Sequence, residues 1–215
     1  MRHELIAVDM LLLLDDVALD HVRSLNRRML ASVPSGFAFD DRHTPHITLL
    51  QRYVSVDELA HVYEAVDAVL AATSWSMIEL TASRLTHEQH PSLPGVGVAV
   101  VPVTADHVLI DLHDALIDST APWARAGGDA SAFVTSEREL AIDPGTIAYV
   151  ERFMPDHSGA DYAPHVTVGL ADLDDLVAME AETFESFSVR PPAFAVYQLG
   201  HAGTAQIRLH ECPHS

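Results

Sequence analysis

The sequence predicts an α+β protein whose two halves share one plan, and two observations lead to this prediction. A five-residue motif occurs once in each half, because residues 45–49 read PHITL and residues 164–168 read PHVTV. Around each motif, segments with the two-residue period of strands alternate with segments that have the helical period. The order strand, helix, motif strand, helix, strand is therefore expected twice.

The first half begins with an apolar run over 5–14, which only Asp9 interrupts. A signal peptide would need an uninterrupted apolar stretch, and a membrane span would need about 20 apolar residues. We therefore predict a buried first strand. Asp15 or Asp16 can cap the helix that follows, which is expected to end near Ser32.

The other elements follow the same alternation, although residues 121–143 have no clear period and receive no prediction. We expect one domain over 1–215, with halves near 1–85 and 95–215 that join near 86–94. The remaining predicted elements are the first motif strand to about Tyr53, a helix after a capping box at 55–58, a strand over 75–84, a loop over 86–94, a buried strand over 96–103, a helix over 106–119, a helix from Asp143-Pro144 to about 153, the second motif strand, a helix over 172–184, and a hairpin of strands 194–199 and 206–210.

Each motif places an imidazole and a hydroxyl side by side. The residue before the histidine is proline, and isoleucine, valine and threonine favour strands. Successive side chains of a strand point to opposite faces, so His46 and Thr48 share one face while the apolar residues take the other. His165 and Thr167 are predicted to form the same pair in the second half.

Two such pairs match the needs of phosphodiester cleavage. In-line displacement at phosphorus requires a base for the attacking oxygen and an acid for the leaving oxygen, and histidine can serve in either role near neutral pH. Threonine hydroxyls can donate hydrogen bonds to the non-bridging oxygens, where charge accumulates. This scheme requires no metal ion or other cofactor.

The doubled His-x-Thr-x motif resembles that of the two-histidine phosphoesterases, in the group of 2′-5′ RNA ligases and 2′,3′-cyclic phosphodiesterases. The resemblance implies a bilobal α+β fold with pseudo-twofold symmetry, in which two antiparallel sheets face a central cleft and the helices lie outside. It also implies metal-independent action on 2′,3′-cyclic or 2′-5′ phosphodiesters. His46 and His165 would be the acid–base pair, and Thr48 and Thr167 would bind the phosphate.

Two further residues are candidates for substrate binding. By strand parity Arg52 shares the face of His46 and Thr48, so it is expected either to meet a phosphate or to form a salt bridge at the rim. Tyr162 precedes the second motif and is expected either to stack on a base or ribose or to pack within its loop.

The composition bears on the partners. The formal charge is −19, from 31 acidic and 12 basic residues, and all of the basic residues are arginine. Nucleic-acid binders usually carry a basic stripe, so we expect no extended nucleic-acid surface and no membrane association. The expected ligand is a small nucleotide cyclic phosphate or a short RNA end, bound by a monomer. The single cysteine, Cys212, excludes an internal disulfide and fits the cytoplasm.

Three alternatives remain open from the sequence. The motif histidines could be hydrogen-bonded core residues, or the protein could bind a nucleotide or RNA end without turning it over. A metal site is the third alternative, suggested by the pairs His43/His46 and His87/His90 and by the C-terminal group of His210, Cys212 and His214. No zinc-like pattern accompanies these residues, so we predict no metal ligands.

Overall fold

The computed structural model describes residues 4–40, 42–90, 93–135 and 141–213. Within these ranges the chain forms five α-helices and nine strands, and every strand pairing is antiparallel. The prediction of an α+β fold is thus confirmed. The strands are β1 Leu5–Leu13, β2 His46–Ser55, β3 Leu80–Ala82, β4 Thr86–Gln89, β5 Val96–Pro102, β6 His165–Asp172, β7 Phe187–Val189, β8 Ala193–Leu199 and β9 Ala205–Pro213, and the helices are α1 Asp16–Ser32, α2 Leu59–Ala72, α3 His107–Thr120, α4 Pro144–Asp156 and α5 Leu173–Glu180.

The strands form three sheets, and the largest of them combines strands from before and after the predicted joint at 86–94. The largest has the order β2-β1-β8-β9, so it combines the first two strands of the sequence with the last two. A second sheet has the order β4-β5-β6, and β3 pairs with β7 in a third. The first motif therefore lies on an edge strand of one sheet, and the second motif lies on an edge strand of another.

Strand β1 is buried on both faces, as its apolar sequence predicts. All residues from Ile6 to Leu12 are buried, Asp9 among them. The helix that follows begins as predicted, because Asp15 accepts a hydrogen bond from the backbone of Ala18. The later helices α3 and α4 are capped in the same manner by aspartate side chains.

Two predictions for the first half need correction. The capping box at 55–58 is wrong, because Ser55 makes no capping hydrogen bond and a short 3₁₀ turn precedes α2 instead. The strand predicted over 75–84 shrinks to β3, because Trp75–Met77 winds into another 3₁₀ turn. Ile78, Leu80 and Ala82 are all buried, which explains their alternation in the sequence, but only Leu80 and Ala82 belong to the strand.

Two predictions for the joint and the second half also need correction. The segment predicted as a loop over 86–94 contains β4, whose polar residues are compatible with an edge strand; Pro91 and Ser92 lie outside the described residues. The helix predicted over 172–184 ends at Glu180, and the chain then forms β7, which the periodicity did not indicate. The hairpin of β8 and β9 is confirmed.

Among the described residues, none of the helices combines the length and apolar character that crossing a bilayer requires.

Candidate active site

Both motif strands carry a β-bulge at the same place, directly after the motif threonine. In the pairing of β1 with β2, Leu11 lies opposite Thr48 and Met10 lies opposite Leu50, so Leu49 is the extra residue. In the pairing of β5 with β6, Val168 is skipped in the same way. A bulge leaves a ladder group unpaired and changes the direction of the strand.

Each bulge is held by a buried polar side chain from a helix. The carbonyl of Leu49 accepts a hydrogen bond of 2.7 Å from Nδ1 of His113, a residue of α3. The carbonyl of Val168 accepts a hydrogen bond of 2.8 Å from Nδ2 of Asn26, a residue of α1. These two bonds satisfy the carbonyls of the bulge residues and fix the strands that carry the histidines.

The two motif histidines are anchored in the same orientation. Nδ1 of His46 donates to the carbonyl of Thr44 over 2.7 Å, and Nδ1 of His165 donates to the carbonyl of Ala163 over 2.8 Å. Because a carbonyl only accepts, Nδ1 carries the proton in both rings. The Nε2 atoms are thereby left as the nitrogens that can give or take a proton.

The motif strands lie against each other, and one side chain joins the segments directly. Strands β2 and β6 are in contact, and the hydroxyl of Tyr162 donates to the carbonyl of Thr48 over 3.0 Å. His46 lies close enough to His165 for its positive charge to lower the pKa of that ring. The structure therefore brings both predicted histidines into one region of the molecule.

Asp9 is the residue that the motifs did not indicate. Its carboxylate is fully buried, and Oδ2 accepts hydrogen bonds from Oγ1 of Thr48 over 2.8 Å and from Nε2 of Gln51 over 2.7 Å. The same oxygen lies 3.4 Å from Nε2 of His46. The bulge permits this grouping, since it places Thr48 and Gln51 on one face although they are three residues apart.

The pKa values of the two histidines move in opposite directions. Burial of His46 disfavours its charged form, but the 3.4 Å contact with Asp9, the charge of Asp9 and the Thr44 carbonyl outweigh burial and raise the pKa of His46. Burial lowers the pKa of His165; the carbonyl of Ala163 opposes this effect, and the charge of His46 adds to it. The surroundings of His46 thus favour its charged form, and those of His165 favour its neutral form.

The motif threonines also differ. The hydroxyl of Thr48 donates its hydrogen bond to Asp9 over 2.8 Å. Thr167 is partly exposed and makes no side-chain hydrogen bond to any part of the chain that the structure describes. Its hydroxyl is the one already free to donate to a ligand.

Tyr162 is packed into the structure by both ends of its side chain. Its ring stacks on His113 with the centroids 3.9 Å apart, and its hydroxyl is bonded to Thr48. Burial raises its pKa, so the hydroxyl keeps its proton. Of the two expectations for this residue, the contacts fit the packed loop tyrosine, which links α3 to both motif segments.

The prediction that Arg52 shares the face of His46 and Thr48 is wrong, and the bulge is the reason. Past the extra Leu49 the alternation shifts by one, so Arg52 pairs with Val8 and takes the opposite face from Gln51. The residue is only 5% exposed, and its Nε and Nη1 atoms have no hydrogen-bond partner among the described residues. Burial lowers the pKa of Arg52 to about 10.

The buried guanidinium of Arg52, whose Nε and Nη1 atoms lack hydrogen-bond partners among the described residues, should reduce the free energy of unfolding. We expect Arg52→Met, which keeps the length of the side chain, to raise the free energy of unfolding by about 1–3 kcal/mol because it removes the cost of burying unpaired polar atoms. Urea denaturation measures this change. The matched control is Arg84→Met at an exposed arginine, where a change within about 0.5 kcal/mol is expected. A clear loss of stability in Arg52→Met alone would contradict the prediction.

The sequence contained a signal for Asp9 that strand parity alone did not use. An aspartate within a run of nine leucines, isoleucines, valines, alanines and methionines is unusual, because buried carboxylates are rare unless they are paired. Asn26 and His113 gave no comparable signal. Each appears within a helical period, and only the tertiary structure shows which carbonyl it meets.

The C-terminal histidine and cysteine meet a third residue that the sequence did not suggest. Oδ1 of Asp67 on α2 lies 2.7 Å from Nε2 of His210 and 3.0 Å from Sγ of Cys212, both on β9. Among the described residues these three form the one group with ligand atoms close enough to hold a metal ion. His214 lies outside the described residues. The mutual hydrogen bonds account for the group as a link between α2 and β9.

No protein-family model matches this chain, and no curated protein matches it significantly.

Proposed function

We propose that this protein is a metal-independent phosphoesterase that hydrolyses 2′,3′-cyclic or related 2′-5′ phosphodiesters of nucleotides or RNA ends. His46 and His165 act as the acid–base pair. The observation that carries the proposal is the matched anchoring of the two rings, which fixes Nδ1 on a backbone carbonyl and leaves Nε2 of each for proton transfer.

The reaction needs only these groups and water. One neutral Nε2 accepts a proton from water as the water oxygen bonds to phosphorus, and one protonated Nε2 donates to the ribose oxygen as its bond to phosphorus breaks. The hydroxyl of Thr167 donates to a non-bridging oxygen, where negative charge increases in the transition state. The protons balance, because the base gains the one that the acid loses.

We further infer that the two motif-bearing halves are related by a pseudo-twofold axis and face a shared cleft. Three parallels support this inference: the bulge after the threonine, the carbonyl that binds each Nδ1, and the helix side chain that holds each bulge. We propose that the protein works as a cytoplasmic monomer, which the single free cysteine fits.

The substrate is proposed to be small because five of the ten arginines that the structure describes are already paired with carboxylates. In the described part of the chain, the arginines that form ion pairs with carboxylates are Arg28, Arg125, Arg152, Arg190 and Arg208. Arg52 is buried on the face of β2 opposite to His46 and Thr48, so it does not point toward the proposed phosphate site. Few cations remain to follow a phosphate backbone, and the formal charge of −19 repels one.

Salt dependence tests the size of the substrate. Each phosphate that the protein neutralises contributes about 0.7–0.9 to the slope of log affinity against log salt. For one or two phosphates we expect a slope of about 1 to 2 in magnitude, and mononucleotide cyclic phosphates should be hydrolysed about as well as long RNA ends. Binding to nucleotides and oligonucleotides at several salt concentrations measures this slope. A steep slope with activity that rises with oligonucleotide length would contradict the prediction.

The direct test of the proposed function uses EDTA-treated protein and 2′,3′-cyclic mononucleotides. Turnover that added divalent ions do not increase supports the proposal. Saturable binding without turnover would instead indicate a nucleotide or RNA-end binding protein. Neither binding nor turnover of cyclic nucleotides and 2′-5′ dinucleotides would refute both.

The two threonines should differ in what their removal changes. We expect Thr48→Ala and Thr167→Ala each to lower kcat/KM by about 10- to 150-fold, because each variant loses one hydrogen bond to a charged group at about 1.5–3 kcal/mol. In Thr167→Ala this bond is the one to the phosphate, and in Thr48→Ala it is the one that holds Asp9 beside His46. Only Thr48→Ala should also lower the free energy of unfolding, because it removes a donor from buried Asp9. Steady-state kinetics and urea denaturation of both variants separate the two effects. Equal stability losses would contradict this division.

A further inference from the structure

The buried carboxylate of Asp9 needs a positive charge, and one candidate lies within reach. Its two hydrogen-bond donors, Thr48 and Gln51, are neutral, and Oδ1 has no partner among the described residues. A buried carboxylate is costly unless a cation compensates it. Nε2 of His46, at 3.4 Å from Oδ2, is the ionisable nitrogen beside it.

The second motif lacks this carboxylate, and the ladder shows which residue replaces it. Asp9 lies two positions before Leu11, the partner of Thr48. In the other sheet the partner of Thr167 is Val100, and the residue two positions before it is Val98. The anchoring of the rings and the bulges are the same in both motifs, so this exchange of Asp for Val is a local difference in charge between the two histidines.

We propose that Asp9 is a positioning residue that keeps His46 in its cationic form, so that His46 is the acid and His165 is the base. The inference rests on the proposed function and decides a question that the symmetry of the motifs leaves open. His46 gives its Nε2 proton to the leaving ribose oxygen, and the neutral Nε2 of His165 takes the proton of the attacking water. The 3.4 Å separation is long for a hydrogen bond, so a substrate oxygen can replace Asp9 as the acceptor.

The other titratable groups around the pair are compatible with this division. His165 interacts with Glu88 on β4, which favours its charged form, and with His157 after α4, which disfavours it. Tyr149 on α4 and Tyr162 also lie within range of the Asp9 charge, and burial followed by that charge raises the pKa of each, that of Tyr149 to about 12. Both tyrosines therefore stay neutral, and Asp9, Glu88, His46, His157 and His165 determine the charge of the site.

The pH dependence follows from these charges. Activity should fall at acid pH as His165 gains a proton, and it should fall at alkaline pH as His46 loses one. In Asp9→Asn the pKa of His46 should drop, so the alkaline limb should move to lower pH and the active range should narrow. If Asp9 had a purely structural role, Asp9→Asn would not move the alkaline limb of the pH profile.

Histidine NMR tests the charge assignment without any substrate. We expect the imidazole of His46, identified by its absence in His46→Ala, to titrate at higher pH than that of His165 in the wild-type protein. Asp9→Asn should lower the His46 value. The opposite order in the wild type, or an unchanged His46 value in a folded Asp9→Asn protein, would overturn the proposal. Because the wild-type order is measured first, the test stands even if Asp9→Asn does not fold.

Leaving-group dependence tests the roles. Bis(p-nitrophenyl) phosphate releases p-nitrophenolate, which needs little help from an acid. We expect His46→Ala to lose about 10²–10⁴-fold on a 2′,3′-cyclic nucleotide and less than about 10-fold on this diester, while His165→Ala loses heavily on both. The reverse pattern would overturn the role assignment. Absence of all turnover in the wild type would refute the proposed function, whereas the NMR titration would still report on the Asp9–His46 ion pair.

Discussion

Replacing either motif histidine with alanine is expected to lower kcat for 2′,3′-cyclic nucleotides by about 10²–10⁴-fold, the range for one positioned acid or base. His46 and His165 act in the same displacement, so the kcat of the double variant should be close to the kcat of the less active single variant. Steady-state kinetics on EDTA-treated protein measures these losses. Thermal denaturation should show that each variant remains folded, since both rings are partly exposed.

The matched control is His107→Ala, because His107 is exposed at the start of α3. We expect its kcat to equal that of the wild type. Wild-type rates in His46→Ala or His165→Ala would refute the acid–base pair. Losses that multiply in the double variant would show that the two histidines stabilise the transition state independently and do not act as a unit.

Asn26→Ala is expected to lower the free energy of unfolding by about 3–5 kcal/mol. The amide donates to the carbonyls of Phe37 and Val168 and accepts from the backbone of Phe39, so its removal leaves three backbone groups unsatisfied, each worth about 1–3 kcal/mol. Gly169, the next residue, packs against the same amide, because a Cβ there would lie 3.1 Å from Nδ2 of Asn26. Urea denaturation measures the loss.

Activity should fall together with stability in this variant. Asn26 holds the bulge that directs His165 and Thr167, so we expect a lower kcat even under conditions where Asn26→Ala is fully folded. Arg27→Ala, at the exposed neighbour on α1, is the control and should change stability by no more than about 0.5 kcal/mol. An Asn26→Ala protein with wild-type stability would show that water replaces the amide at the bulge.

The sequence predicted the two motif strands because local chemistry determines them. Proline before each histidine and the β-branched residues after it favour a strand, and both strands begin at the histidine. Parity then failed at Arg52, since strict alternation assumes an unbroken ladder. A bulge is a tertiary feature that depends on β1 and on His113, and neither is local to the motif.

Which strands pair with each other also could not be predicted from the local sequence. The apolar run of β1 predicted burial, but its pairing with β8 joins residues more than half the chain apart, and no local pattern encodes that pairing. The polar composition of β4 indicated a loop, because an edge strand exposed to water carries little apolar signal. Asp9 was visible in the sequence as an interruption, yet its meaning emerged only when the ladder placed it beside Thr48 and Gln51.

The position of β1 between β2 and β8 has a consequence for biosynthesis. A nascent chain can pair β1 with β2 once residue 55 has emerged, but β8 begins only at Ala193. Until then the second edge of a leucine-rich strand lacks its partner, which makes it a template for pairing with other chains. Ribosome-bound chains that stop before residue 193 should therefore recruit chaperones, whereas chains in which β8 has emerged can pair it with β1.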